Sequence, residues 1–538
     1  MSFKENSYQQ MTFTDSFVNL TAREKKALDN SWAKVFAENI FPYINEKPYA
    51  ALYSSVASRP NSPINVAIGA MIIKEVFGLS DDEILENLLL DIRYQYALHT
   101  TSFEEQPMSD KTLSRLRRRC YDYETTTGID LIHKTMTELA DAICDLMKVT
   151  PDIKRMDSMM IEANIKKLSR LELLYTCVAK LCLYLKNKAG VNLPDEIIHY
   201  TEDNDFNKVI YHNKSDEADD KILTILKDAD KLLEICDGSY QDVTEYQLFI
   251  RCIGEQTIID KDSGNRRLKT KEDGEMGAHI LQNPSDPDAT FRTKAGKDHR
   301  GYAGNVVETV GQNGSVVTDY QLEENSYSDS QFLNDYINRQ DDSQPASTMV
   351  TDGAYSGENN VKTAAKKNIK LVTTDLLGRD ADPILNQFEI DEASEKIEKC
   401  PAGNTPLKSR YDKKQQKYLA TMDRECCANC PFRDQCKAKV HKRVANITIS
   451  KTSLARAATR EYMQTEEFKN LARIRNGVET IPSLLRNKFN VDKMPRGKQR
   501  SRLFFGCKIG ALNFKKLMTY LKGRGNYAQN PILTGIAY

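Results

Sequence analysis

The most constraining stretch of this chain lies between Ser347 and Thr373. An extended apolar run, Ser347 to Thr351, ends on Asp352-Gly353; a helical pattern follows from Gly357 to Lys367; a second extended run covers Ile369 to Thr373. Two strands separated by one helix read as a crossover, and a crossover places the strands parallel in a sheet that helices must cover. Antiparallel signals occur as well. Thr290 to Lys294, Asn305 to Thr309 and Ser315 to Tyr320 read as strands, with Asn313-Gly314 marking a hairpin turn, and Gln256 to Asp260 reads as a further short strand. The expected fold class is therefore α/β with a mixed sheet and flanking helices.

Another strand is expected at Ile153 to Ile161, where Ile153, Arg155, Asp157, Met159 and Ile161 alternate with Lys154, Met156, Ser158 and Met160. Before it, residues 1 to about 150 read as helical. Ile64 to Phe77 is an apolar run, and Ser80 opens a helix with Asp81, Asp82 and Glu83 in its first turn. Ser109 is placed to cap a helix over Lys111 to Tyr121. That last helix carries Lys111, Arg115, Arg117, Arg118 and Arg119, the arginine density that a recognition helix following a turn needs; the plain alternative is a solvated basic face. After the 153–161 strand, Leu-rich charged sequence from Leu168 to Gly238 reads as a helical insertion.

At 538 residues the chain is long enough for three or four modules. The expected boundaries are 1–150, an all-α DNA-binding domain; 151–377, the sheet-bearing core with a helical insertion at about 165–245; 378–450, an irregular Cys-bearing insertion; and 451–538, a basic helical part carrying Glu479. Net charge is zero, but residues 441–538 hold 20 Lys or Arg against 5 Asp or Glu, so that segment carries +15 and the rest −15. Such a lobe is a candidate phosphate-binding surface. No basic-then-apolar leader opens the chain and no run of roughly 18 apolar residues could span a bilayer, so the expected location is the cytoplasm, with no membrane partner.

Of twelve cysteines, seven are scattered singly and suit reduced core thiols. Cys400, Cys427, Cys430 and Cys436 cluster, with a Cys-x-x-Cys pair at 427 and 430, and can close a tetrahedral Zn²⁺ site in an insert with little core of its own. Cys426 is spare and His441 is a reserve ligand. An iron–sulfur cluster and a metal-free reduced cluster are the alternatives.

Asp157 within a strand, Asp352 at the end of a later strand and Glu479 in a distant helical region have the placements from which separate elements can converge carboxylates on hard divalent metal, as phosphoryl transfer between DNA strands requires. Among 76 acidic residues any one such placement is weak evidence, since most surface carboxylates are only solvated.

The surrounding motifs add to this. Arg59-Pro60, Gly78-Leu79-Ser80-Asp81 and Ser109-Asp110-Lys111-Thr112-Leu113, followed by Arg155-Met156-Asp157-Ser158-Met159-Met160-Ile161-Glu162-Ala163-Asn164-Ile165, then by Ser285-Asp286-Pro287-Asp288-Ala289-Thr290 with His299-Arg300-Gly301-Tyr302, and by Thr351-Asp352-Gly353-Ala354-Tyr355-Ser356, appear in an order that resembles bacterial insertion-sequence DDE transposases. That resemblance implies an RNase H-like catalytic domain behind the family's helical amino-terminal domain. It also implies metal-dependent DNA cleavage and strand transfer with Mg²⁺ or Mn²⁺ on Asp157, Asp352 and Glu479. The expected partners are double-stranded DNA, as terminal inverted repeats and target, and a second copy of the chain.

One branch of the family has Tyr, two residues, Arg, three residues, Glu, six residues, Lys. Here Arg475 and Glu479 fit, Arg486 replaces the Lys, and Ala472 stands at the Tyr position. On one ideal helix 475, 479 and 486 fall within about 60°, which makes Arg475 and Arg486 candidate DNA contacts beside Glu479, although Pro482 should kink or restart that helix past the glutamate. Lys111, Arg115 and Arg118 are the corresponding candidates in the amino-terminal domain. Asp286, Asp288 and His299 form a second polar group, read evenly as an Asx-rich turn with a structural histidine or as neighbours of the site. Glu162 is expected to cap or pair. The competing functions are a metal-dependent nuclease without strand transfer and a non-catalytic DNA-binding regulator.

Overall fold

The computed structural model describes residues 1–6, 17–100, 108–211, 217–274, 276–294, 296–343, 345–374, 381–391 and 393–522. The chain divides into two compact units, Met1–Pro151 with Asp157–Phe332 and Thr480–Tyr538, and Asp152–Met156 with Leu333–Glu479.

In the first unit the helical amino-terminal region forms as its sequence suggests. Helix Ile64–Phe77 is buried on nearly every side and ends where Gly78 takes a left-handed conformation (φ 71°). Helix Asp81–Leu90 starts at a capping box, Ser80 and Glu83 satisfying each other's backbone N–H. The arginine-rich helix runs Thr112–Thr127, longer than expected, and Ser109 does not cap it: Lys111 holds the cap position without a side-chain bond. The carboxyl-terminal helix Lys498–Lys522 packs on Ile64–Phe77 and on Leu131–Met147, with Phe514 edge-on to Phe36 at 5.2 Å.

Strand β1 (Ile153–Glu162) begins in the second unit and continues into the first. Beyond it lies the insertion, whose helices Arg170–Asn187, Ala218–Cys236 and Thr244–Gln256 share a core of Leu174, Leu181, Leu232 and Phe249. The short β2 (Thr257–Ile259) pairs with β3 (Arg266–Leu268) alone and does not enter the main sheet. Strand β4 (Thr290–Lys294) pairs antiparallel with the start of β5 (Lys297–Gly311), whose remainder pairs antiparallel with β6 (Gly314–Glu324). The tight loop is Gln312-Asn313 and not the expected Asn313-Gly314, because Gly311 and Gly314 still face each other as the last pair. β5 also neighbours β1. A Cβ on Gly301 would meet the Ile161 carbonyl, which explains glycine there.

In the second unit β7 (Ser347–Thr351) pairs in parallel with Ile153–Arg155 of β1 and with β8 (Ile369–Thr373), across the expected helix Glu358–Lys366. Helix Glu466–Asn476 packs Phe468 and Leu471 on Val350 and Val372. The architecture is thus a mixed α/β fold with a helical amino-terminal region, the class expected from the sequence.

A larger expectation also fails. The 378–450 region is not irregular: β9 (Glu389–Asp391) pairs with β10 (Lys396–Lys399), and β11 (Lys408–Asp412), β12 (Lys417–Asp423), β13 (Lys439–Val440) and β14 (Val444–Ser450) form an antiparallel sheet in the order β11-β12-β14-β13. Its inner face, Tyr418, Ala420, Met422, Ala445, Ile447 and Ile449, closes a core of its own with Cys400, Cys427 and Cys436. Those residues alternate with outward neighbours, Thr421, Asn446 and Thr448 among them and Leu419 half-buried, at the period of two that half-buried strands require.

Candidate functional site

Asp157 is a half-buried residue of β1 whose Oδ1 accepts the Ser158 N–H at 3.0 Å. The last residues paired between β1 and β7 are Arg155 and Val350. Asp157 stands two residues beyond the first and Asp352 two beyond the second. Asp352 follows the last residue of β7 and caps the 3₁₀ turn Gly353–Tyr355, its Oδ1 accepting from Ala354 N at 2.8 Å. The Asp-Gly-Ala-Tyr sequence therefore fixes the carboxylate at a strand end.

Glu479 and Arg475 belong to the same unit as Asp352. The Arg475 Nη1 lies 2.6 Å from Glu479 Oε1 and its Nη2 lies 3.7 Å from Asp352 Oδ2, so one largely buried guanidinium spans both carboxylates. Glu479 is 61% exposed, open to a ligand from solution. The helix is interrupted earlier than expected: Glu466–Asn476 gives way to a 3₁₀ turn Gly477–Glu479, and a new helix spans Thr480–Phe489. Pro482 falls in the first turn of the new helix, where its missing N–H costs nothing. Residues 475, 479 and 486 accordingly do not share one helix. Arg486 donates from Nη2 to the Met160 carbonyl at 2.6 Å and has Nε 3.6 Å from Asp492, which in turn accepts the Glu162 N–H at 2.9 Å. Ala472, at the missing Tyr position, packs with the Phe468 and Leu471 cluster.

The second polar group divides cleanly. Asn283 Oδ1 accepts the Ser285 N–H at 2.9 Å, the Asx turn that is one of the two readings, and Asp286 is buried with the Tyr302 hydroxyl donating to it at 2.6 Å. Asp288 accepts from Lys498 N, and His299 Nδ1 sits 2.9 Å from Glu162 Oε1, so Glu162 pairs as expected.

On helix Thr112–Thr127 the arginines sort by face. Arg117 pairs with Asp81 and stacks over Phe504 at 5.1 Å, and Arg119 covers Tyr53 at 4.5 Å. Arg115 and Arg118, with Lys111 just before the helix, are exposed at positions four and three residues apart, a single outward stripe. The turn expected ahead of this helix falls partly on 101–107, outside the described residues.

Cys400, Cys426, Cys427, Cys430 and Cys436 line one pocket. Burial first, and the neighbouring thiols next, push Cys427 up to about 11, and burial likewise raises Cys436. The set offers four soft donors of the kind Zn²⁺ prefers. Among the described residues, however, no group of three or more His, Cys, Asp or Glu side chains is arranged to hold a metal ion, here or at the carboxylates. Among the same residues no helix is long and apolar enough to cross a membrane.

Comparison with known families yields two matches. Residues 399–518 match a transposase DDE domain and residues 23–119 match a transposase domain of the DUF772 type. Two segments of the chain are therefore similar to transposase domains, one of them a DDE domain. The DDE match contains Glu479, Arg475, Arg486 and the cysteine cluster; the amino-terminal match contains Lys111, Arg115 and Arg118; Asp157 and Asp352 lie between the two. Neither the curated proteins nor the solved structures searched gave a match.

Proposed function

We propose that the protein cleaves and joins DNA at the terminal inverted repeats of an insertion sequence, with Asp157, Asp352 and Glu479 as the carboxylates that hold divalent metal. The observation that carries this reading is the bridge from Arg475 to both Asp352 and Glu479. Two like charges gathered at one locus repel, and the guanidinium offsets that repulsion until a cation replaces it. Bound Mg²⁺ or Mn²⁺ would supply Lewis acidity at the phosphoryl group.

The residues of the chain have separate tasks in this reading. Asp352, held by the Ala354 N–H, is the rigid ligand; Glu479, beside a helix break and exposed, is the adjustable one. Arg475, beside both carboxylates, would be placed to contact the scissile phosphate, and Arg486 backs β1 through the Met160 carbonyl. Lys111, Arg115 and Arg118 contact duplex DNA, a second copy of the chain serves the second transposon end, and the four clustered thiols take Zn²⁺ as a structural staple. The enzyme acts at the nucleoid.

The test uses the full chain with Mg²⁺ and duplexes carrying the repeats that flank its reading frame. Wild type should cut and join, Asp352→Ala and Glu479→Gln should bind but do neither, and R115A/R118A should lower the salt slope of binding by about 1.8. Cleavage without joining would identify a nuclease instead, and absence of both from wild type would overturn the proposal.

A further inference from the structure

The outer face of the cysteine-bearing β-sheet is a surface that neither the carboxylate site nor the arginine-rich helix uses. Its register places Lys408 of β11, Thr421 of β12, Asn446 of β14 and Lys439 of β13 in one row across all four strands, with Arg410 two residues along from Lys408. Alternation puts these on the side opposite the Tyr418, Ala420 and Met422 core, and Lys408, Arg410, Asn446 and Lys439 are exposed. Three strand spacings of about 4.8 Å separate the two lysine backbones by about 14 Å, close to the roughly 12 Å width of a DNA major groove, with short hydrogen-bonding side chains between them.

The charges on this face are one-sided. Its two acids, Asp412 and Asp423, sit at strand ends and are engaged by turn and helix N–H groups at Lys414, Gln415 and Glu425. The turn between β13 and β14 adds exposed Lys442 and Arg443. Leu407 is the one large apolar side chain strongly exposed among the described residues of the insert, and the apolar residues on this face, Leu419 and Val444, are half-buried, so charged and polar side chains make up most of what it exposes.

We infer that this sheet face docks on the phosphate backbone of duplex DNA, with Lys408, Arg410 and Lys439 as its contacts. The inference rests on the reading of the chain as a DNA-joining enzyme and adds to it a DNA surface separate from the amino-terminal helix. It gives the cysteine cluster a purpose: fixing a small sheet that must stay flat against DNA.

The deciding experiment measures binding of the full-length protein to a 30-bp transposon-end duplex by fluorescence anisotropy between 50 and 200 mM salt. K408A/R410A/K439A should reduce the slope of log affinity against log salt by about 2.7, equivalent to about forty-fold less gain in affinity on going from 200 to 50 mM. K408R/K439R should keep the wild-type slope, and both variants should keep the wild-type melting profile, since all three sites are on the surface. An unchanged slope in the triple variant, with wild type and R115A/R118A behaving as proposed above, would overturn this inference alone. Failure of wild type to bind any duplex would overturn the DNA-joining reading and this inference with it.

Discussion

Gly477, two residues before Glu479, allows a test in which the sign of an effect and not only its size is at stake. Its backbone (φ −64°, ψ −21°) is ordinary helix that any residue adopts, so glycine is not needed there for conformational freedom. It is needed for space: a Cβ would overlap the Arg155 guanidinium and lie 3.0 Å from its Cζ. Arg155 is buried on β1 and donates from Nη1 to the Ile474 carbonyl, tying the strand to the last turn before the helix break. Gly477→Ala should gain about 1 kcal/mol of helix propensity but lose a charge-assisted hydrogen bond of about 1.5–3 kcal/mol. The net loss of about 0.5–2 kcal/mol corresponds to a roughly 2- to 30-fold drop in hydrogen-exchange protection over 466–479, measured by mass spectrometry on the full chain. DNA joining should fall in parallel as Glu479 loses its support. In an Arg155→Ala background the obstacle is gone, and the same substitution should raise protection by the propensity term alone, about fivefold. If Gly477→Ala lowers protection equally in both backgrounds, the space argument is wrong.

Three further outcomes can be checked. Lys508 Nζ donates to Glu75 Oε2 at 2.6 Å and to the Phe489 carbonyl at 2.7 Å with both side chains buried, so Lys508→Ala should cost about 3–5 kcal/mol in urea unfolding followed by Trp32 fluorescence, and K508M/E75L should recover most of it; a neutral single variant would refute the pairing. Burial opposes ionisation of Asp81, but hydrogen bonds from Arg117 and Lys74 overcome it and hold its pKa at about 2. Because the folded pKa lies below the unfolded value of about 3.9, its contribution of about 2 kcal/mol is present above pH 4 and lost as pH falls to 2; an acid-unfolding limb no flatter in Asp81→Asn would contradict this. Elemental analysis of protein purified without chelator should find one zinc per chain, absent from C427S/C430S, and a zinc-free wild type would remove Zn²⁺ from the cysteine pocket.

The elements legible in the sequence were those whose local signals agree with their tertiary setting. Ser347–Thr351, Ile369–Thr373 and the helix between them carry both the pattern and the burial that a parallel pair needs, and Ser80 with Glu83 announces a helix start that the structure builds. The sheet of the cysteine insert escaped notice because its inward residues include Ala420 and Ala445, small side chains whose alternation is faint among many lysines. Pro482 drew attention to the wrong point of rupture: a proline in a first turn is tolerated, whereas Gly477 and the Arg155 packed against it mark the actual break. The order of the carboxylates along the chain was readable, but the bridge through Arg475 depends on a tertiary approach that no spacing encodes.

The +15 carboxyl-terminal segment shows why a charge count is a poor guide to where a phosphate backbone could dock. Much of its excess on helix Lys498–Lys522 is matched inside the first unit: Lys498 pairs with Glu323, Arg502 with Glu124 and Asp130, Lys508 with Glu75, and Lys516 with the fully buried Glu308. These partners come from the segment that carries −15, so opposite excesses in distant parts of the sequence register a mutual neutralisation on folding. A cation sharing its charge with a buried carboxylate has little left to offer a phosphate, since exchanging partners would strand the acid. On the reading proposed above, the cations offered to DNA include outward ones among the described residues: Arg115 and Arg118 on the amino-terminal helix, the latter 3.8 Å from exposed Asp122, and Lys408, Arg410 and Lys439 on the β-sheet face. Substituting the paired cations should therefore cost stability before it costs DNA affinity, whereas substituting the outward ones should do the reverse.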